Sequence, residues 1–226
     1  MIRVVNLKKI YNPGVIEVPA LRGITFEVKR GDFLGLMGPS GSGKSTLLHL
    51  LGLIDDPTSG TIHIDGIDVS ELDDDERTDY RLNKMGYIFQ EYALVPELTV
   101  MENVALTAMA RGKSDAESRR VSTEILSTIG LSERFNHLPR ELSGGEQQRV
   151  AIARSMVNRP LILFADEPCA NLDTDNSKIV LDQFHSINRD LGQTIVMVSH
   201  EEWHKKYFHR IVYLKDGQIE REEVHP

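Results

Sequence analysis

The chain has a single cysteine, Cys169, among its 226 residues. An internal disulfide is therefore impossible, which excludes a disulfide-stapled secreted scaffold and makes the cytoplasm the natural compartment. No apolar run approaches the roughly 18–20 residues needed to cross a bilayer. The stretch Met1 to Leu7 is too short and too polar-flanked for a signal peptide and reads as a first strand. Positive charge is also in deficit. Lys and Arg number 26 against 34 Asp and Glu, a net charge of −8. That balance argues against a DNA-facing surface, and an anionic ligand has to be held by a concentrated local field against an unfavourable background. Repeats, low-complexity segments and long linkers are missing too, so 226 residues read as one domain of two lobes. With 40% hydrophobic and 27% charged residues, the composition is that of an ordinary globular protein.

What is present begins with residues 38–46, Gly-Pro-Ser-Gly-Ser-Gly-Lys-Ser-Thr. Gly38 to Ser45 fits G-x-x-x-x-G-K-S/T without a mismatch. Phe33 to Met37 before it reads as a buried strand, and Leu47, Leu48, Leu50 and Leu51 after it recur at helical spacing. Strand, glycine-rich loop and helix together form a phosphate cradle. Glycines let backbone N–H groups turn inward around phosphate oxygens, and the helix start adds its positive dipole end. In that frame Lys44 reaches the β- and γ-phosphates and the Ser45 hydroxyl ligates Mg²⁺.

The apolar run Leu161 to Ala165 ends in Asp166 and Glu167. A continuous apolar run suits a strand buried on both faces, and its C-terminal end is where open α/β sheets bind ligands. Asp166 is placed to hold Mg²⁺, and Glu167 to act as the base or water-orienting group for attack on the γ-phosphate. Residues 142–146, Leu-Ser-Gly-Gly-Glu, open a second helical pattern through Val150, Ala153 and Val157. Further strands are expected at Arg3–Leu7, Ile24–Val28, Thr61–Ile64 and Thr194–Val198, with a closing hairpin at Ile211–Leu214 and Gln218–Glu220. Helical spacing dominates from about Pro96 to Met156 and recurs through Ile179, Val180, Phe184 and Ile187.

Three features invite other readings. The run Glu71 to Glu76 resembles a metal-binding carboxylate cluster, but it reads better as the acidic first turn of an exposed helix. His200 to His204 matches the zinc-peptidase pattern H-E-x-x-H. That chemistry needs both histidines on one helix face, whereas His200 ends an apolar strand. Cys169 has no basic neighbour in sequence and reads as structural.

These motifs, in this order, resemble the nucleotide-binding subunit of ATP-binding cassette (ABC) transporters, and the resemblance covers essentially the whole chain. It implies an α/β fold: a P-loop NTPase (RecA-like) core with an antiparallel β subdomain and an inserted α-helical signature subdomain. Residues 1–226 then form one ATP-binding domain, with a core lobe at about 1–90 and 158–226 and a helical lobe at about 91–157. Tyr11 matches the residue that stacks on adenine. Gly38, Pro39, Ser40, Gly41, Ser42, Gly43, Lys44, Ser45 and Thr46 match the phosphate loop. Gln90 matches a lid glutamine that touches Mg²⁺ or the attacking water. Ser143, Gly144 and Gly145 belong to the signature loop, Asp173 to the loop that couples two sites, and His200 to the switch histidine. Cys169 departs from the family's usual Ser or Thr, and His209 stands where relatives often carry Asp.

The implied cofactors are ATP and Mg²⁺. The implied partners are a second copy of the chain, closing around two ATP molecules, and an integral membrane permease, with no nucleic acid. The expected location is cytoplasmic, peripheral on the inner face of the membrane. The phrasing at 50–55 and 95–104 resembles the lipoprotein-release and macrolide-export branch. A signalling ATPase acting on a membrane partner without transport is the alternative. A soluble repair or translation ATPase is disfavoured, because long coiled-coil insertions and a second cassette are lacking. With Pro226 soon after the closing hairpin, no C-terminal regulatory domain is expected. The apolar segment 91–98 is read as a groove that docks a short helix of the permease, against the alternative that Leu94, Val95 and Leu98 pack the helical lobe.

Overall fold

The computed structural model describes residues 1–12, 14 and 16–225. The described residues build two sheets, and three of the strands are almost wholly apolar. These are β3 (Phe33–Met37), β7 (Ile162–Asp166) and β8 (Thr194–Val198). β3 and β8 are buried at every residue, and β7 at all but its terminal acid, as expected for a sheet covered on both faces. They lie in a six-stranded sheet of order β10-β9-β3-β8-β7-β6, completed by β6 (Met85–Ile88), β9 (Arg210–Lys215) and β10 (Gln218–Val224). All neighbours are parallel except the β9–β10 hairpin.

The second sheet is antiparallel, of order β2-β1-β4-β5, from β1 (Ile2–Tyr11), β2 (Val18–Val28), β4 (Ser59–Ile64) and β5 (Ile67–Asp68). Helix α1 (Lys44–Leu51) packs between the sheets. Its Leu47, Leu48, Leu50 and Leu51 are fully buried in one cluster with Ile2, Val4, Ile62, Phe164 and Val196. Burying each such side chain contributes roughly 1.5–3 kcal/mol.

The remaining helices start at polar caps. Asp73 and Glu76 form a capping box on α2 (Asp74–Lys84), so the acidic run at 71–76 is indeed a helix start, with Glu71 and Leu72 ahead of it. Thr99 and Glu102 cap α3 (Val100–Ala110), and Ser114 caps α4 (Asp115–Thr128). Ser143 and Glu146 cap α5 (Gly144–Met156), and Asp173 caps α6 (Thr174–Leu191), which ends at left-handed Gly192. Helices α3, α4 and α5 share their own cluster, including Val104, Leu126, Val150 and Ala153. Another cluster, on the far face of the six-stranded sheet, joins it to α5 and α6 through Phe33, Ile152, Val180 and Phe184.

The structure differs from the sequence expectation in several places, among them the short β5 and a β10 that runs to Val224 rather than Glu220. β1 and β2 extend well beyond Arg3–Leu7 and Ile24–Val28. Asn6 adopts φ 49° and the pairing shifts register there, so inside–outside alternation is broken and the charged Lys8 and Lys9 hide the strand's second half. β6 was not expected at all, since it is four residues long and follows α2 with no turn residue between them. Leu94 is half-buried against both the α5–α6 cluster and the α3–α5 cluster, so part of its side chain packs the junction between them, while the neighbouring Val95 is exposed.

Candidate functional site

The ends of β3, β7 and β8 open into one cleft of about 950 Å³. The phosphate loop forms its floor. Gly38 has φ 138°, and a Cβ there would lie 2.1 Å from the Leu214 carbonyl oxygen on β9. Gly43 has φ 99°, and its Cβ would meet the Ala20 carbonyl at 2.6 Å. Only glycine satisfies both the backbone angle and the space at these positions. The first helical bond of α1 runs from Leu47 N–H to the Gly43 carbonyl, 2.8 Å. The N–H groups of Lys44, Ser45 and Thr46 therefore have no helical acceptor and remain available to an anion.

Lys44 is 6% exposed, and its Nζ donates to the Gly38 and Pro39 carbonyls at 3.0 and 2.9 Å. Burial pulls its pKa down, while the nearby Glu167 and Asp166 carboxylates pull it back up. Pro39, Ser40 and Gly41 also line the cleft. Ser42 is buried, and its Oγ has no hydrogen-bond partner among the described residues.

The acids meet the loop directly. Ser45 Oγ donates to Asp166 Oδ1 at 2.9 Å, and His49 Nε2 lies 3.3 Å from Asp166 Oδ2. His49 was not singled out from the sequence; as the sixth residue of α1 it carried no motif signal. Glu167 lines the cleft with φ 45°, a left-handed backbone unusual for a non-glycine residue, and its Oε2 is 3.3 Å from His200 Nδ1. His200 lines the same cleft. His204 does not join it there. It is buried, with Nδ1 2.7 Å from Ser199 Oγ, within a 3₁₀ turn at Glu202–Tyr207, and burial pushes its pKa down to about 4.

Tyr11 lines the cleft beside Val18, its pairing partner across the β1–β2 strands. Its hydroxyl donates to Asp55 Oδ2 at 2.9 Å. Burial raises its pKa, with Asp55 adding to the effect and a hydrogen bond to Thr46 opposing it.

The other motif residues sit outside this cleft. Gln90 is exposed, and its backbone carbonyl accepts from Asn171 Nδ2 at 3.3 Å. The turn that follows, with Tyr92 and Ala93 at φ 58° and 49°, is tied to α5 by Arg154, which donates to both of their carbonyls. Ser143 caps α5, and Glu146 Oε2 accepts from Ser143 N–H and Oγ at 2.8 and 2.9 Å. Arg134 Nε reaches Glu146 Oε1 at 2.8 Å, and this pairing, with the Ser143 N–H bond, pulls the Glu146 pKa down to about 2. The signature loop touches the start of α6. A Cβ on Gly145 would lie 2.5 Å from Asn176 Oδ1, and one on Gly144 3.3 Å from Leu172 Cδ2. Asn176 is held in turn by Asp173, whose carboxylate accepts from its N–H and its Nδ2, both at 2.8 Å.

Cys169 is buried behind these loops, beside a small cavity of about 140 Å³ that also touches Glu167, Ser177 and His204. Burial pushes its thiol up to about 12, consistent with an inert structural side chain. Among the described residues, no helix is long and apolar enough to cross a membrane.

Comparison with known proteins gives a consistent picture. Residues 21–170 match the family described as ABC transporter. The ABC transporter ATP-binding protein MJ0796 of Methanocaldococcus jannaschii is 44% identical, over 99% of this chain and 97% of its own length. The lipoprotein-releasing system ATP-binding protein LolD of Aquifex aeolicus is also 44% identical, over 97% of this chain and 96% of its own. The macrolide export ATP-binding/permease protein MacB of Syntrophobacter fumaroxidans is 45% identical, with this chain spanning 31% of its length. The dimeric structure of MJ0796 superposes with TM-score 0.91 at 43% identity, covering 99% of this chain and 98% of that one. A second MJ0796 dimer, in a post-hydrolysis state bound to ADP and Pi, also superposes with TM-score 0.91. On the matched residues and on these relatives, the chain belongs to the ABC transporter family.

Proposed function

We propose that this chain hydrolyses ATP as the energy-coupling subunit of a membrane transporter, acting as a pair of copies closed around two ATP molecules. The observation that carries the reading is the single cleft lined by the phosphate loop, Glu167 and His200, with Asp166 bonded to the loop's Ser45. The free N–H groups of Lys44, Ser45 and Thr46 hold the phosphates, with the Lys44 ammonium beside them. Glu167 accepts the proton of the attacking water, and His200, 3.3 Å away, holds that carboxylate in position. The Ser45 hydroxyl and the Asp166 carboxylate, 2.9 Å apart, are hard oxygen donors that fit Mg²⁺. Bound there, Mg²⁺ neutralises charge developing on the phosphates. Gln90, outside the cleft, is proposed to reach the metal or the water from the turn at 90–93.

The Ser143 hydroxyl and the N–H groups of Gly144 and Gly145 open a helix and so suit a second γ-phosphate. They lie outside the cleft of their own chain, which favours a site completed by the other copy, with Asp173 coupling the two. The dimeric MJ0796 structures support this arrangement. The relatives named LolD and MacB support a permease partner and a role in lipoprotein release or macrolide-type export, at the cytoplasmic face of the membrane. The groove of about 200 Å³ lined by Met85, Tyr87, Phe89, Ala93 and Arg154 is the better docking candidate for that permease, since it adjoins the Gln90 turn.

Steady-state hydrolysis with Mg²⁺ tests the assignment. Glu167→Gln keeps shape without basicity, so turnover should fall by at least about 100-fold with ATP affinity retained. Lys44→Ala should weaken both. Equal loss of affinity in Glu167→Gln would remove it from the proton-accepting role.

A further inference from the structure

Lys9 and Asp55 form no part of the cleft wall, yet together they clasp the aromatic side chain that does. Asp55 uses both carboxylate oxygens. Oδ2 takes the Tyr11 hydroxyl at 2.9 Å, and Oδ1 takes Lys9 Nζ at 2.6 Å. Lys9 Nζ also donates to the Asp56 carbonyl at 2.7 Å, and it stands over the Tyr11 ring, 4.9 Å from the centroid. The Lys9 side chain is only 12% exposed and that of Asp55 28%, so the pair is substantially withdrawn from solvent. The backbone is fastened at the same place. Ile10 N–H donates to Thr58 Oγ1 at 2.9 Å, and Thr58 N–H to the Lys8 carbonyl at 2.8 Å.

We propose that Lys9 and Asp55 are positioning residues that hold the Tyr11 ring as a preformed platform for a nucleoside base. The proposal rests on the nucleotide reading of the cleft. A tyrosine at the wall of an open cleft otherwise samples several rotamers, and fixing it on binding costs affinity; fixing it beforehand removes that cost. A cation on one ring face polarises the π system and leaves the other face for a flat base. The clasp also joins the platform to the cradle. Asp55 follows α1 by four residues, and Ile54 N–H is bonded to the His49 carbonyl at 2.9 Å. The Tyr11 ring is thereby held at one end of a helix about 12 Å long whose other end carries Lys44. Base and triphosphate are gripped by one rigid unit.

Calorimetric titration of the full-length protein with ATP and with inorganic tripolyphosphate, alongside steady-state hydrolysis, tests this. Lys9→Met and Asp55→Asn should each raise the ATP Kd and KM about five- to tenfold, with kcat and the tripolyphosphate Kd within about twofold of wild type. Tyr11→Phe, which removes only the hydroxyl tether, should give a smaller loss of the same kind. Tyr11→Ala should abolish the preference for ATP over tripolyphosphate, and adding Lys9→Met to it should change nothing further. Parallel losses for both ligands would make the clasp a support for the phosphate loop and overturn the proposal. So would an unchanged ATP Kd in Lys9→Met, or a Lys9→Met effect that persists without the Tyr11 ring. A wild-type protein that binds neither ligand would instead refute the nucleotide reading itself, and the proposal with it.

Discussion

Replacing Glu146 by glutamine isolates one electrostatic contribution at the start of the signature helix. The Glu146 carboxylate accepts from Arg134, from Ser143 N–H and from Ser143 Oγ. Its pKa falls from the ordinary 4.5 to about 2, chiefly through Arg134 and then through the Ser143 N–H. Taken at face value that difference corresponds to ~3 kcal/mol. The Arg134 side chain is 42% exposed, so solvent screening leaves ~1–2 kcal/mol. A carboxylate whose folded-state pKa is depressed stabilises fully above the unfolded value near 4.5, and that stabilisation drains away as pH falls toward 2. Glutamine keeps an oxygen for the Ser143 N–H but loses the charge. Urea denaturation followed by far-UV circular dichroism should show Glu146→Gln less stable by ~1–2 kcal/mol at pH 7, with the gap shrinking to roughly half by pH 3. Equal stabilities at pH 7, or a gap that does not close with acid, would refute the argument.

Three further substitutions probe packing. Gly38→Ala pushes a methyl group to 2.1 Å from the Leu214 carbonyl at a strained φ, so it should cost on the order of 2 kcal/mol or more and abolish nucleotide binding, read by thermal melting and calorimetry. Gly41→Ala meets open space, so it carries only the backbone strain of φ 76° and should cost ~1 kcal/mol. Leu94→Glu places a charge between two apolar clusters and should lower the melting temperature through a loss of ~2–4 kcal/mol. A mutant as stable as wild type would favour this segment as a free docking face.

The central sheet was legible because its strands are continuous apolar runs and its loops carry contiguous motifs. Phe33–Met37 and Thr194–Val198 match the expected strands residue for residue. The phosphate loop, Asp166, Glu167 and His200 were likewise identifiable, since each lies at the C-terminal end of a buried strand or within two residues of it. What stayed hidden depends on pairs distant in sequence. The Lys9–Asp55–Tyr11 clasp, the Arg134–Glu146 bridge and the Arg154 tether on the turn at 92–93 have no period and no motif. β6 escaped because its placement rests on close approach: a Cβ on Gly86 would lie 2.4 Å from the Ser155 carbonyl. The packing of Leu94 against two clusters is equally invisible in the sequence, since an apolar stretch looks the same whether it covers a partner or a neighbouring helix.

Sedimentation velocity of the Glu167→Gln protein, with and without ATP, tests the two-copy site most directly. The signature loop at Ser143 stands outside its own chain's cleft, and in the proposed function each ATP needs that loop from a second chain. The variant should sediment as a monomer alone and as a dimer with ATP, and adding Ser143→Arg should return it to monomer while ATP still binds. A variant that binds ATP yet stays monomeric at every protein concentration tested would contradict the account.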